Sequence, residues 1–426
     1  MVVELVRQAV DRVRNAPPAR DEMDVVAADV NVRAKELLRS GPTEVINGTG
    51  TILHTNLGRA PLSTAAITAM GEAARYSDLE YDLVSGNRGA RVDHVEPLLN
   101  LLLGCEASTT VCNNAAGLLL ALTALTAGKE IIVSRGQAVE IGDGFRLPEI
   151  VRQSRAKLVE VGTTNRTIVD DYVAAVTPKT AALLHVHASN FRVVGFSRQP
   201  SLAELALAAR ECGLLLVADN GSGPLIDTAT FGLMHEPMPR EALVAGADVV
   251  TFSTDKLMGG PQGGVVAGKA DLIGRISRHP MARAVRPDKT SLAALRATAQ
   301  QYATGELDAI PVIRMLRADE NELRRRAEQV AEAAKLRGLD ARVERSESTI
   351  GGGSLPGQTL STYVIAIASP WKAHELAARL RARPVPIVVR VQRGRVLLDL
   401  RTVQTQQDST LIAELCDLAP DSRENG

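Results

Sequence analysis

The chain has 426 residues, 45% of them hydrophobic, and its 49 basic side chains are balanced by 49 acidic ones. That length exceeds one ordinary compact core and implies two domains or one large α/β domain with appendages, while the composition excludes a mostly disordered chain. Zero net charge argues against wholesale coating by nucleic acid, and no apolar run reaches the length of a membrane span.

Residues 1–44 are predicted to form two short amphipathic helices, separated near Pro17-Pro18 and ending at Gly41-Pro42. The charged start, Met-Val-Val-Glu-Leu-Val-Arg, lacks the apolar core of a signal peptide, so a cytoplasmic protein is expected. From residue 45 to 305 short Val/Ile/Leu runs alternate with helical periodicity, the pattern of a large, mostly parallel sheet covered on both faces. Predicted strands are 109–112, 130–134, 157–161, 181–186, 214–218, 248–252 and 264–268, with an apolar helical stripe ending before Gly104. Beyond Pro311 one long charged helix is predicted to about Leu336, then a loop at Gly351-Gly-Gly-Ser-Leu-Pro-Gly357. Strand, helix and strand follow at 363–367, 372–381 and 395–400, so residues 306–426 are expected to form a smaller C-terminal α/β domain. Four scattered cysteines without a CxxC pair suggest neither a zinc site nor a disulfide framework.

Lys256 is the residue through which function becomes readable. The apolar strand 248–252 delivers it into the glycine-rich turn Lys256-Leu-Met-Gly-Gly-Pro-Gln-Gly-Gly264, where a desolvated amine loses its proton more easily than in water. A surface lysine in a loop is the plain alternative. Asp219 ends another apolar strand, where it could pair with a pyridinium nitrogen, or else serve as a turn or helix cap. Asn190 ends the strand before that and could bond the phenolic oxygen of a cofactor. Asn113, Asn114 and Ala115 open an apolar helix directly after a strand, so free backbone N–H groups could cradle a phosphate there, as any helix start could. His187 is expected near the cofactor ring with His185 elsewhere, and Ser253 joins the candidates at the end of the Lys256 strand. Asn190, Asp219 and Lys256 follow at intervals of 29 and 37 residues. This order, phosphate cup then Asn, Asp and Lys, is that of fold-type I pyridoxal 5′-phosphate enzymes, and together the residues form a far more specific signal than any one alone. Gly263-Gly-Val-Val-Ala-Gly-Lys-Ala270 matches a nucleotide phosphate loop except at Ala270, which lacks the hydroxyl that would meet magnesium. Between Lys269 and Arg296, seven basic residues face two acidic ones, a candidate anion site or a solvated helix face.

Beyond these residues the chain resembles the bacterial selenocysteine synthases, the L-seryl-tRNA(Sec) selenium transferases. The likeness runs through Val45-Ile-Asn-Gly-Thr-Gly-Thr-Ile-Leu-His-Thr-Asn-Leu-Gly-Arg-Ala60, Leu79-Glu-Tyr-Asp-Leu83, Asn87-Arg-Gly-Ala-Arg91, Val133-Ser-Arg-Gly-Gln137, Val161-Gly-Thr-Thr-Asn-Arg-Thr167 and the Lys256 segment. It implies a fold-type I pyridoxal phosphate enzyme in which Lys256 carries the cofactor and then acts as the base. The implied reaction is β-elimination of the seryl hydroxyl on tRNA, giving aminoacrylyl-tRNA, followed by addition of selenium from selenophosphate. It further implies that Arg59, Arg283 and Arg286 bind the anionic selenium donor, and that the protein assembles as a homo-oligomer, a ring of dimers. Members of the family carry a longer N-terminal helical region that grips the tRNA, so residues 1–44 are expected to be a shortened form of it. They hold seven basic and eight acidic side chains and no net basic footprint.

Two other readings keep part of this. An ammonia-lyase or dehydratase acting on a small, phosphorylated amino acid would retain the fold and cofactor, and a non-catalytic tRNA-binding scaffold would retain the fold alone. A cysteine desulfurase is disfavoured because the loop 345–358 contains no cysteine nucleophile.

Overall fold

The structure, a computed structural model, describes residues 2–14, 22–38, 41–141 and 144–418. It separates into two compact units, Met1–Val45 and Ile46–Gly426. In the first, the expected helices run over Val2–Arg14 and Glu22–Leu38 and pack on each other. Asp29 accepts hydrogen bonds from both Arg12 and Arg33. The expected break at Pro17-Pro18 lies outside the described residues.

The second unit carries two large sheets and a small hairpin. Its strands are β1 (Ile46–Gly48), β2 (Thr51–Leu53), β3 (Ala107–Val111), β4 (Glu130–Ser134), the hairpin β5 (Glu140–Ile141) and β6 (Phe145–Arg146), β7 (Lys157–Val161), β8 (Thr180–Val186), β9 (Leu215–Gly221), β10 (Val249–Ser253), β11 (Gly264–Gly268), β12 (Asp340–Gly351), β13 (Thr359–Ala368), β14 (Ile387–Gln392) and β15 (Arg395–Asp399). The larger sheet has the order β3-β11-β10-β9-β8-β4-β7 and is parallel except for β11, which runs antiparallel to both neighbours. Its strands are nearly continuous apolar runs because helices cover both faces; Leu183, Leu216, Val250 and Phe252 are buried in one core layer, and Ile131, Val133 and Val217 in another. Such a sheet places ligands at the carboxyl ends of its strands. Gly264–Gly268 being a strand also removes the phosphate-loop reading of that segment.

The second sheet, β1-β14-β15-β13-β12-β2, differs from expectation in its membership. Residues 46–53, assigned from sequence to the large domain, instead flank the C-terminal strands: β1 runs parallel to β14 and β2 parallel to β12. Two three-residue strands carry too little apolar pattern to reveal a pairing some three hundred residues away. The charged strand β12 escaped prediction for a related reason, since arginines and glutamates interrupt its alternation. The single helix expected after Pro311 is two, Pro311–Arg317 and Glu320–Lys335. Ala318 turns extended (ψ 123°), and Asp319 caps the second helix by accepting from the Asn321 and Glu322 N–H groups.

Candidate active site

At the carboxyl edge of the large sheet, the ends of β8, β9 and β10 meet the start of the helix Asn114–Thr126 around a cavity of about 300 Å³. Lys256 lines it, 5% exposed, in a turn closed by backbone bonds from Gly259 N–H to the Lys256 carbonyl (2.9 Å) and from Gly260 N–H to the Thr254 carbonyl (2.8 Å). The glycines are needed there: a Cβ on Gly259 would lie 2.5 Å from an Ile310 methyl. Burial lowers the Lys256 pKa, opposed by the nearby Asp255 carboxylate and assisted by the Arg59 charge. A buried amine biased toward its neutral form is what carbonyl attack and proton abstraction require.

Asp219 lies opposite, 3% exposed, on β9. Its Oδ1 accepts from Asn114 Nδ2 at 2.7 Å and from Thr251 Oγ1 at 2.9 Å, which fixes the carboxyl and leaves Oδ2 available. Burial raises its pKa, against the pull of these two donors and of the Lys256 and His187 charges. The pairing of β9 with β10 shifts by one residue just after Asp219, so that Asn220 is skipped and the backbone turns toward the cavity. Asn220 anchors that turn through Pro237 O and Gly223 N–H.

Asn113 caps the helix start by accepting from Ala116 N–H at 2.9 Å, and Asn113, Asn114 and Ala115 all line the cavity. Gly264 allows β11 to approach this turn; a Cβ there would sit 2.6 Å from the Asn113 carbonyl carbon. Asn114 therefore has a second task that sequence did not suggest, holding Asp219, and its buried Oδ1 has no hydrogen-bond partner among the described residues. A buried acid, a buried lysine, a helix start with free N–H groups and an orphaned amide oxygen could hold pyridoxal phosphate, Asp219 suiting a ring nitrogen, Asn113–Ala115 a phosphate and Lys256 a carbonyl carbon. Among the described residues, no group of three or more His, Cys, Asp or Glu could hold a metal.

His187 and Ser253 also line the cavity. The His187 ring pairs through Nε2 with Glu236 Oε1 at 2.9 Å, and Glu236 is itself buried. Arg59 reaches the site as well, donating to Asp255 Oδ2 at 2.7 Å. Arg59 adopts φ 63°, a left-handed conformation uncommon outside glycine, and the Ala60 N–H bonds the Asp255 carbonyl, so this loop is clamped to the lysine turn.

Three expected residues are placed elsewhere. Asn190 is exposed and donates to the Glu140 carbonyl at 2.9 Å, away from the cavity, because β8 ends at Val186 and His187 takes the position at the strand end. Arg283 and Arg286 line a separate groove with Glu80, Arg88 and Arg91, so within one chain they do not join Arg59. A larger cavity of about 550 Å³ between the helices Thr64–Ala73 and Lys289–Thr304 lacks such chemistry, since its Lys289 and Arg296 are held by backbone carbonyls.

Sequence reasoning missed Asp255, Gln262, Thr251, Glu236 and Gly353. Thr251 was within reach, because it alternates with Ser253 along one strand face. Gly353 comes from the loop between β12 and β13, and a Cβ there would lie 2.9 Å from Lys256 Nζ. No local pattern links that loop, or Glu236, to the lysine.

Residues 45–404 match the family model of the L-seryl-tRNA selenium transferases. The chain belongs to that family. A Geobacter sulfurreducens protein named L-seryl-tRNA(Sec) selenium transferase is 45% identical, over 98% of this chain and 93% of its own length. Proteins of the same name from Moorella thermoacetica (45% identical; 95% and 88% covered) and Clostridium perfringens (46%; 84% and 79%) match similarly. The solved structure of D-glucosaminate-6-phosphate ammonia-lyase superposes with a TM-score of 0.63 at 21% identity, covering 91% of this chain and 98% of that one. This likeness concerns the fold, and the chain has the fold-type I architecture expected from the order of the helix start, Asn190, Asp219 and Lys256, although Asn190 itself is not at the cavity. Among the described residues no helix is long and apolar enough to cross a membrane.

Proposed function

We propose that this enzyme converts L-seryl-tRNA(Sec) to L-selenocysteinyl-tRNA(Sec), with selenophosphate as the selenium donor. The observation that carries the reading is the buried Lys256–Asp219 pair in one cavity of a chain that is 45% identical, nearly end to end, to a named L-seryl-tRNA(Sec) selenium transferase. The fold likeness to the ammonia-lyase is of lower identity and does not favour a small-molecule substrate.

Pyridoxal 5′-phosphate, when bound, supplies an electron sink for the carbanion at the seryl Cα. The protein does the rest. Asp219 Oδ2 holds a proton at the ring nitrogen, while Asn114 and Thr251 keep the carboxylate in place. Lys256 Nζ, whose pKa burial lowers, takes the proton from the seryl Cα, and the β-hydroxyl departs as water. The Arg59–Asp255 pair places a fixed charge couple beside that amine. His187, oriented by Glu236, lies at the end of β8 as a group to face the ring.

For the donor, Arg59, Arg283 and Arg286 suit a doubly charged phosphate-like anion, which gains most from bidentate guanidinium groups. Arg59 and the Arg283–Arg286 pair lie in different cavities of one chain, so joint use on one anion requires a second copy. A homo-oligomer built from dimers is the proposed source of that copy. A cytoplasmic setting, where aminoacylated tRNA is made, completes the reading.

Wild-type protein incubated with pyridoxal phosphate, seryl-tRNA(Sec) and selenophosphate should form selenocysteinyl-tRNA(Sec). Lys256→Ala should lower the rate by about 10⁴-fold, the upper range for a positioned acid–base group, and abolish the visible absorbance of the lysine-bound cofactor. Release of ammonia from a small amino acid, with no selenocysteinyl-tRNA formed, would transfer the assignment to the lyase.

A further inference from the structure

The Lys256 cavity spans the ends of β10, β9 and β8, and a second cavity of about 320 Å³ continues along the same carboxyl edge past β8 to β4 and β7. The two share His187. Nothing in the elimination chemistry uses this second space, yet it is built like a binding site. Gly136 lets the Gln199 amide close in; a Cβ there would lie 2.8 Å from Gln199 Nε2 and 2.5 Å from the Thr164 carbonyl.

We propose that this second cavity binds the 3′-terminal adenosine of the aminoacyl-tRNA whose acyl group occupies the Lys256 cavity, a proposal that rests on the function given above. In an aminoacyl-tRNA the acyl carbonyl is esterified to the terminal ribose, so the nucleoside must lie immediately beside the reacting carbon. A cavity joined to the lysine site through one residue satisfies that constraint, and its volume suits one nucleoside.

Its chemistry also suits adenine. Gln137 Oε1 accepts from Val186 N–H at 3.0 Å, which leaves the Gln137 NH₂ as a donor. Asn165 donates its NH₂ to the Phe196 carbonyl at 2.6 Å, and its Oδ1, which accepts a long bond from Thr163 Oγ1 at 3.4 Å, keeps a second lone pair as an acceptor. Adenine presents the complement, a ring-nitrogen acceptor beside the N6 amino donor. Gln199 makes no hydrogen bond within the described residues and can serve either edge. Phe191 offers a ring for stacking, the contact by which proteins hold single-stranded bases. His185 stays neutral here, since burial, with His187 beside it, pushes its pKa down to about 4. Arg192 also lines the cavity, where its guanidinium can pair with the phosphate that links the terminal nucleoside to the rest of the tRNA.

The test uses the holoenzyme and a stable mimic, 3′-(L-serylamido)-3′-deoxyadenosine, titrated by calorimetry against its cytidine counterpart and against L-serine methylamide. The adenosine mimic should bind at least about tenfold more tightly than either, the effect of one stacked base. Phe191→Ala and Gln199→Ala should each erase most of that advantage, with the cofactor's visible absorbance retained as the check on folding. Equal binding of the three compounds, or variants that bind the adenosine mimic as wild type does, would overturn the proposal. If the wild type forms no selenocysteinyl-tRNA yet prefers the adenosine mimic, the reaction assigned above fails while the adenosine subsite stands.

Discussion

The Lys256 cavity and the Arg283–Arg286 groove both gather charge, but they hold it in opposite ways. Asp219, Asp255 and Lys256 in the cavity and Glu236 behind its His187 are buried, and the three acids each have a specific partner: Asn114 and Thr251 for Asp219, Arg59 for Asp255, and His187 for Glu236. In the groove Glu80 serves three arginines at once, Arg91 at 2.9 Å, Arg88 at 2.8 Å and Arg286 at 3.7 Å, and Arg88 and Arg286 remain 81% and 41% exposed. The Arg91 hydrogen bond leads in drawing the Glu80 carboxyl below its ordinary pKa, but exposed pairs of this kind contribute little to stability. Buried charge changes the reactivity of the groups that carry it, whereas exposed charge attracts a ligand and leaves its own groups much as they are in water.

The largest effect that can break this contrast comes from Asp219→Asn. Loss of a preorganised charge at the ring nitrogen should lower turnover by about 10²- to 10³-fold. The same substitution tests whether the carboxyl is held at a cost before the cofactor arrives. The folded pKa of Asp219 is raised by burial, so the carboxyl contributes stability that is complete below the ordinary carboxylate range and is lost as pH climbs through the folded value. Asparagine does not ionise. Cofactor-free Asp219→Asn should therefore melt above cofactor-free wild type at about pH 8, with the gap closing toward about pH 4. A variant that melts below wild type at the higher pH would mean that the buried carboxylate is already compensated, and the contrast with the groove would weaken.

An effect of intermediate size is expected in the groove. Hydrogen bonds to charged groups are each worth about 1.5–3 kcal/mol, so Arg283→Ala with Arg286→Ala should raise the KM for selenophosphate by about ten- to a hundredfold or more. The cofactor absorbance should be unchanged, because neither arginine lines the Lys256 cavity. Mixing this double variant with Lys256→Ala tests whether the two regions serve one site across copies. Recovery of activity in mixed oligomers, where each parent alone is impaired, is the expected result; no recovery would confine each region to its own chain.

Legibility from sequence followed the same division. The strands that end at the cavity announce themselves, since they are buried on both faces and read as apolar runs, and their order places Asp219 and Lys256 at neighbouring ends. What remained hidden was contributed from far away or by side chains with a second use. Glu236 reaches His187 across 49 residues, and Gly353 reaches Lys256 from a different sheet. Asn190 has the right residue type three positions beyond His187, and only the position of the strand end, at Val186, distinguishes the two. The arginines were legible as a basic cluster, but not as a cluster already shared with Glu80, because Glu80 comes from a segment two hundred residues earlier.

The smallest expected effect is the most discriminating, because the same methyl group can be added to both regions. At Gly353 a Cβ would lie 2.9 Å from Lys256 Nζ and 3.1 Å from its Cε, on a backbone with φ +81°. Gly353→Ala thus adds left-handed strain of about 1 kcal/mol and displaces the amine that carries the chemistry, so turnover should fall about tenfold even where the fold survives. At Gly89, in the groove, the nearest atom to an added Cβ is the Asp82 backbone nitrogen at 3.3 Å, and the conformation is not left-handed. Gly89→Ala should change stability by no more than about 0.5 kcal/mol and leave the cofactor absorbance as it is. Thermal melts and steady-state rates on the two variants, measured side by side, separate a site whose geometry is fixed by packing from one whose work is done by net charge. If Gly353→Ala keeps full turnover, the lysine has room to move, and enclosure is not what sets its reactivity.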